Sequence, residues 1–283
     1  MELAYFFEEK RRLVNKALTK EFSKPDSIPP QLFAAMRYSV FSGGKRIRPI
    51  LSLTAFEACN GKNLNWILPF ACGIELLHTF SLINDDLPCM DNDDFRRGKP
   101  TLHKAFDETT AVLASSALFA KAFELFTQSK APPIRRIRAI SDIAKTIGAQ
   151  GIIAGQIMDT LKNPKSRIPN PESIRLIHRK KTAEFIAVAI KTGAVIAGAK
   201  ENIIKKLWQA GIELGMLFQI TDDILDAKQD KNYQPSFMKF YDLKQAQKIA
   251  QDYAVKAKQK FTSLGNRFEP LIQITDRILK RGN

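Results

Sequence analysis

Five aspartates fall within ten residues of "SLINDDLPCMDNDDFRRGKPT" (Ser81–Thr101), directly after an apolar run and just before two arginines. Asp85 and Asp86 are adjacent, and Asp91 completes a D-D-x-x-x-x-D spacing with Asp93 and Asp94 beyond it. Burying several carboxylates without counter-charge is prohibitive, so these side chains must face water, a cation, or both. The stretch "LGMLFQITDDILDAKQD" (Leu214–Asp230) does the same again. There Asp222 and Asp226 stand four apart on one face of a helix, with Asp223 adjacent. Oxygen ligands in pairs, with no His or Cys among them, suit Mg²⁺, which keeps several waters and bridges to substrate phosphates. The plainer alternative is a solvated acidic patch at a helix end. It explains one cluster; two clusters, each ending an apolar helical segment, argue against it.

A phosphorylated substrate would need cations, and four basic segments supply them. "SGGKRIRP" places Gly44, Lys45, Arg46 and Arg48 at a glycine break, where backbone can approach an anion closely. It is not a Walker loop, because G-x-x-x-x-G-K-[ST] is absent. "FRRGKPT" puts Arg96 and Arg97 just past the first acidic cluster, "IHRKKTAEF" offers Lys180, Lys181 and Thr182, and Lys228 and Lys231 follow the second cluster. Arginine's planar fork matches diphosphate oxygens with two parallel hydrogen bonds. The formal net charge of +15 agrees with an anionic partner. Nucleic acid would suit that charge too, but no reading motif or aromatic-basic platform is present, and none is expected to bind.

These residues need scaffolding. Apolar residues recur at helical three-and-four spacing almost everywhere, and sustained alternation is absent. Helical stretches are expected from Pro29-Pro30 to Gly43-Gly44, from Pro49 to Gly61, and over 64–90, 106–129, 134–160, 171–197, 201–229 and 240–262, with a last one near 268–280. Several are apolar around much of their circumference, as helices surrounded by helices must be. With no linker, repeat or low-complexity segment, residues 1–283 read as a single all-α domain, a large helical bundle. No run of about eighteen consecutive apolar residues suggests a membrane span. The N-terminal segment is an amphipathic pattern rather than a signal peptide. Cys59, Cys72 and Cys89 lack metal-ligand spacing, and their odd number excludes a complete set of internal disulfides. A cytoplasmic protein is expected.

In their order, "GGKRIRP", "ELLHTFSLINDDLPCMDNDDFRRGKPT", "GQIMD", "HRKKTA" and "FQITDDILD" resemble the trans-isoprenyl diphosphate synthases, the bacterial-type farnesyl and geranylgeranyl diphosphate synthase family, over about residues 30 to 260. The resemblance implies the isoprenoid synthase fold, helices around a central cavity, and a homodimer. It implies that Asp85, Asp86 and Asp91, with Asp222, Asp223 and Asp226, bind three Mg²⁺ that grip an allylic diphosphate. Arg96, Lys181, Thr182 and Gln219 would contact that substrate. Gly44, Lys45, Arg48, His78 and Arg97 would form the isopentenyl diphosphate pocket, Gln156 and Asp159 would line the cavity, and Lys231 would close over the diphosphate. The implied reaction ionises the allylic C–O bond, adds the isopentenyl double bond to the carbocation, and loses a proton to the released diphosphate. No protein nucleophile is needed, in keeping with the lack of a Ser-His-Asp or Cys-His arrangement.

The chain departs from the family's pattern in places. Asn84 stands where His is usual, Ser115-Ser116 where Gly-Asp is common, and Glu184 where a small or apolar residue is normal. The loop after the second cluster is about ten residues shorter than usual by the same resemblance. Phe80, five residues before Asp85 and followed by Ser81, would block a growing isoprenoid, so the resemblance favours a fifteen-carbon product. "DLPCMDNDD" resembles the plant geranylgeranyl synthases and favours twenty, but the expected product is the fifteen-carbon farnesyl diphosphate, with geranylgeranyl diphosphate as the alternative. A terpene cyclase would lack the second diphosphate pocket, and a non-catalytic partner subunit would have lost an aspartate motif.

Overall fold

In a computed structural model, which describes residues 3–25, 27–160, 170–229 and 237–282, nearly every expected helical stretch is helical. The described chain gathers into two compact units, residues 1–53 with 63–132 and residues 54–62 with 133–283. The first holds α1 (Leu3–Glu21), α2 (Pro30–Val40), the start of α3 (Ile47–Ala58), α4 (Leu64–Asp86), α5 (Leu102–Ala105) and α6 (Glu108–Gln128).

Long α4 starts at Asn63, whose side chain accepts from Asn65 N at 3.0 Å. Such a cap satisfies one of the donors a helix start leaves open. Ile67, Phe70, Ile74 and Leu76 on α4 are fully buried. Phe70 stacks on Phe126 of α6 with ring centroids 5.0 Å apart. Burial of each such phenylalanine stabilises the fold by roughly 2–3 kcal/mol. α4 and α6 are each long and apolar enough to cross a membrane, but α4 is mostly buried, as a core helix is. Averaging over a helix admits the polar positions that interrupt a strictly apolar run.

The second unit holds α7 (Pro133–Ile147), α8 (Ile152–Thr160), α9 (Pro171–His178), a single π-helical turn (Arg179–Ala183), α10 (Glu184–Ala197), α11 (Glu201–Gln229), α12 (Leu243–Thr262) and α13 (Glu269–Gly282). α10 is buried from Glu184 to Ile196 except at Lys191. α12 opens with a capping box between Asp242 and Gln245 and buries the small stripe Ala246, Ala250, Ala254 and Ala257, which lets it lie close to α11.

Two expected helices are each interrupted. The stretch 134–160 breaks where the chain turns through Gly148 and Gly151, a signal present in "IGAQG". The stretch 171–197 widens into the π turn, a feature that often marks a functional position. Unforeseen was a small hairpin of β1 (Phe95–Arg96) and β2 (Lys99–Pro100), paired Phe95 to Pro100 and Arg96 to Lys99. No disulfide joins the three cysteines.

Candidate active site

In the first unit α4 stops at Asp86 because Pro88 follows. Leu87, the residue before proline, is extended at φ −61° and ψ 151°. The chain then folds back, and Asp91 N donates to Asp85 O at 2.9 Å. This brings the third aspartate of the cluster back to the first pair. Asp86 is 4% exposed, and burial raises its pKa while the Arg96 guanidinium opposes the shift. Arg96 Nε donates to Asp86 Oδ1 at 2.9 Å, Nη2 reaches the same oxygen, and Nη2 also donates to Asp93 Oδ2 at 2.8 Å.

That arginine is delivered by the hairpin. Its two-residue loop has positive φ at Arg97 (55°) and Gly98 (75°), the signature of a tight primed turn. Thr101 anchors the far side, its hydroxyl donating to Asp93 O at 2.7 Å. Arg97 Nη1 donates to Gly43 O at 2.6 Å. Gly44 is needed here because its φ is +114°, a conformation side chains rarely adopt; the Arg97 guanidinium lies directly against it. The glycine break, Lys45, Arg48 and Arg97 thus share one corner of this unit. His78 lies within the field of Arg48, Arg97, Arg46 and Arg96. Burial first, then those cations, push its pKa well below the usual histidine range, so its imidazole is neutral. Arg46 has a different task. It is buried, donating to Glu75 Oε1 at 2.7 Å, Val40 O at 2.6 Å and Asn15 Oδ1 at 3.1 Å.

In the second unit Asp222 accepts from Arg281 Nη2 of α13 at 2.8 Å, and Arg281 also lies over the Phe218 ring. Asp226 is exposed at its residue surface, though partial burial raises its pKa against the pull of Arg281. Asp223 turns inward. It is 4% exposed, and burial lifts its pKa to about 7. Its Oδ1 accepts from Gln219 Nε2 at 2.8 Å, and Gln219 Oε1 accepts from Thr182 Oγ1 at 2.7 Å. The π turn therefore hangs on α11 through Thr182. Next to it Lys181 Nζ pairs with Asp159 of α8 at 2.8 Å. A Cβ at Gly155 would stand 2.6 Å from Lys181 N, so only glycine lets α8 lie this close to the turn. On the same helix Gln156 is 9% exposed, and neither end of its amide has a hydrogen-bond partner among the described residues. Such an orphan is costly unless a ligand or water satisfies it.

The departures from the family pattern acquire reasons. Ser115 Oγ donates to Asn84 Oδ1 at 3.3 Å, and Asn84 Nδ2 donates to Phe80 O at 3.0 Å. Two departures thus meet in one hydrogen bond. Glu184, only 8% exposed, accepts from Arg179 Nε at 3.3 Å and from Lys180 Nζ at 3.4 Å, closing the π turn by ion pairing. Phe80 packs on Phe119 of α6 at 5.1 Å, and Ser81 Oγ is turned back to His78 O at 2.9 Å. Sequence reasoning missed Arg281, Glu75 and Phe119. Lys231 lies outside the described residues.

Carboxylate oxygens beside cations, with no thiolate or imidazole ligand, are a donor set that fits Mg²⁺ shared with phosphate. Among the described residues no three His, Cys, Asp or Glu side chains converge to hold an ion unaided. A Mg²⁺ held by one or two carboxylates plus substrate oxygens does not require such a cage.

The architecture is that of the isoprenoid synthases. It matches a geranyltransferase from Legionella pneumophila with a TM-score of 0.89 at 31% identity, covering 99% of this chain and 98% of that one. The family description "Polyprenyl synthetase" matches residues 29–245. The chain is 38% identical over 293 residues to a chloroplastic geranylgeranyl pyrophosphate synthase of Capsicum annuum, covering 98% of this chain and 78% of that one. It is also 38% identical over 295 residues to a geranylgeranyl diphosphate synthase of Cyanophora paradoxa, covering 99% and 97%. The chain belongs to the polyprenyl synthetase family, the trans-isoprenyl diphosphate synthases, and is a trans-prenyltransferase.

Proposed function

We propose that the protein condenses isopentenyl diphosphate with allylic diphosphates in a Mg²⁺-dependent reaction, as a cytoplasmic homodimer. The observation that carries this reading is that a chain of this family keeps both acidic clusters, each with a cation already placed against it: Arg96 on Asp86 and Arg281 on Asp222. Mg²⁺, when bound by Asp85, Asp86 and Asp91 and by the second cluster, would neutralise the departing diphosphate. Arg96 in the first unit and Lys181 in the second each supply a fixed positive charge that suits diphosphate oxygens. Lys45, Arg48, Arg97 and neutral His78 suit the diphosphate of the second substrate, which must stay intact while its double bond reacts.

For the product, the names of the curated relatives support geranylgeranyl diphosphate, with twenty carbons, and we adopt that reading. One observation favours the fifteen-carbon farnesyl product expected from the sequence: the Phe80 ring is backed by Phe119 rather than by a small side chain. Incubation with isopentenyl and dimethylallyl diphosphates, with Mg²⁺ and with EDTA, tests both. A Mg²⁺-dependent twenty-carbon diphosphate is the expected outcome. A fifteen-carbon product would keep the chemistry and give the deciding role to Phe80. No condensation by folded protein would remove the enzymatic reading.

A further inference from the structure

We propose that Glu75 is a positioning residue for the cationic corner of the first unit, acting through Arg46 to set where Lys45 and Arg48 stand. The inference rests on reading that corner as the isopentenyl diphosphate pocket. Of the three cations in "GGKRIRP", Lys45 is exposed and Arg48 is half-buried, but Arg46 between them is turned inside. The side chains of Arg46 and Glu75 are only 3% and 2% exposed. Three elements hold that inner guanidinium. Nη1 donates to Glu75 Oε1 of α4 at 2.7 Å, Nη2 to Val40 O at the end of α2 at 2.6 Å, and Nε to Asn15 Oδ1 of α1 at 3.1 Å.

The backbone shows what this grip achieves. Arg46 has φ +52°, a conformation that a non-glycine residue keeps only where its surroundings impose it. Its carbonyl accepts from Ile50 N at 3.1 Å, a bond of the first turn of α3, which contains Arg48. Lys45 is joined to it directly. Fixing Arg46 therefore fixes both neighbours. Glu75 lies three residues before His78 on α4, so one face of that helix carries the anchor and the imidazole. The carboxylate acts on Arg97 too: burial lowers the Arg97 pKa, and Glu75 is the foremost charge opposing that. Its Oε2 is buried without a hydrogen-bond partner among the described residues. A buried anion so sparsely satisfied is costly, and here it lets Arg46, Arg48 and Arg97 gather round neutral His78 despite their mutual repulsion.

The test separates positioning from stability. KM is measured for isopentenyl and for dimethylallyl diphosphate at saturating Mg²⁺, alongside the thermal midpoint. Glu75→Gln is expected to raise KM for isopentenyl diphosphate about ten-fold and leave that for dimethylallyl diphosphate within about two-fold. Arg46→Lys should do the same, because an ammonium keeps the charge but loses the planar fork that spans three acceptors. Arg46→Met combined with Glu75→Leu removes both buried charges, an exchange that buried pairs tolerate in stability. Its thermal midpoint should stay near wild type while its KM for isopentenyl diphosphate stays raised. A double variant with wild-type KM for both substrates would overturn the proposal, as would a Glu75→Gln or Arg46→Lys protein whose two KM values rise alike. Arg48→Gln tests the underlying reading. If it leaves KM for isopentenyl diphosphate unchanged, the corner is not that pocket and both fall; if it raises that KM and Glu75→Gln does not, this inference alone falls.

Discussion

The two acidic clusters use the same residue type at similar spacing, yet they are neutralised in opposite ways. In the first, the counter-charge is local: Arg96 lies ten residues after Asp86 and arrives on a hairpin that the same stretch encodes. In the second, it is remote. Arg281 comes from the last helix, 59 residues beyond Asp222, and it depends on α13 packing through Leu271, Ile274 and Ile278. The buried carboxylates differ as well, Asp86 being held by a guanidinium and Asp223 by a neutral amide and a backbone N–H. At Asp86 burial raises the pKa, but the Arg96 guanidinium opposes the rise with a full positive charge. At Asp223 burial lifts the pKa to about 7, and the neutral donors Gln219 and Phe237 N pull it back only in part.

The largest expected effect tests the local pairing. Asp86→Asn removes a carboxylate placed to hold the ion and leaves half-buried Arg96 with Asp93 alone. A fall in kcat of about 10³-fold is expected, in the range for losing a group that stabilises developing charge. Asp93→Asn, which removes only the outer partner, should cost less than about ten-fold. If the two variants were equally impaired in steady-state kinetics, Asp86 would be no more than another surface charge and the contrast would collapse.

A smaller effect tests the remote pairing. The Arg281–Asp222 pair is partly exposed, and pairs of this kind contribute about 0.5–1 kcal/mol. Arg281→Gln should therefore lower metal-free stability slightly and, by removing a competitor for Asp222, reduce the Mg²⁺ concentration needed for half-maximal activity about two- to five-fold. Arg281→Lys should fall between. A rise in the Mg²⁺ requirement would show that Arg281 assists the metal instead of standing in for it.

The same contrast explains what was legible in the sequence. The helices followed from periodicity, and the aspartate and arginine motifs could be placed because each is a contiguous run whose partners lie within a turn or a hairpin. Arg281, Phe119 and the Ser115–Asn84 bond were not, since each joins residues 31 to 59 positions apart or across two helices. Glu184 looked out of place for another reason. Its ion pairs with Arg179 and Lys180 make sense only in a π turn, and helical spacing alone does not announce one. Asp223 shows the limit most clearly, for nothing in "TDDILD" tells its second aspartate from its first.

That difference should appear in the pH dependence of stability without metal. The folded pKa of Asp223, about 7, lies above the usual carboxylate value, so between about pH 4 and 7 the folded state holds a proton that the unfolded state has lost. Stability from this group falls as pH rises through that window. His178, 3.7 Å away, behaves oppositely: burial lowers its pKa to about 4, so the unfolded state binds the extra proton between about 4 and 6.5, and stability rises with pH. Each slope has a limit of about 1.4 kcal/mol per pH unit. Over the shared window they oppose each other, and the pair should contribute almost no net pH dependence in wild-type protein. Asp223→Asn removes one arm only, so its urea-unfolding free energy should gain a positive slope between pH 4.5 and 6.5 relative to wild type, by up to about 1 kcal/mol per unit. An unchanged slope would mean that Asp223 is ionised in the folded state, and its likeness to Asp86 would then be closer than their partners suggest.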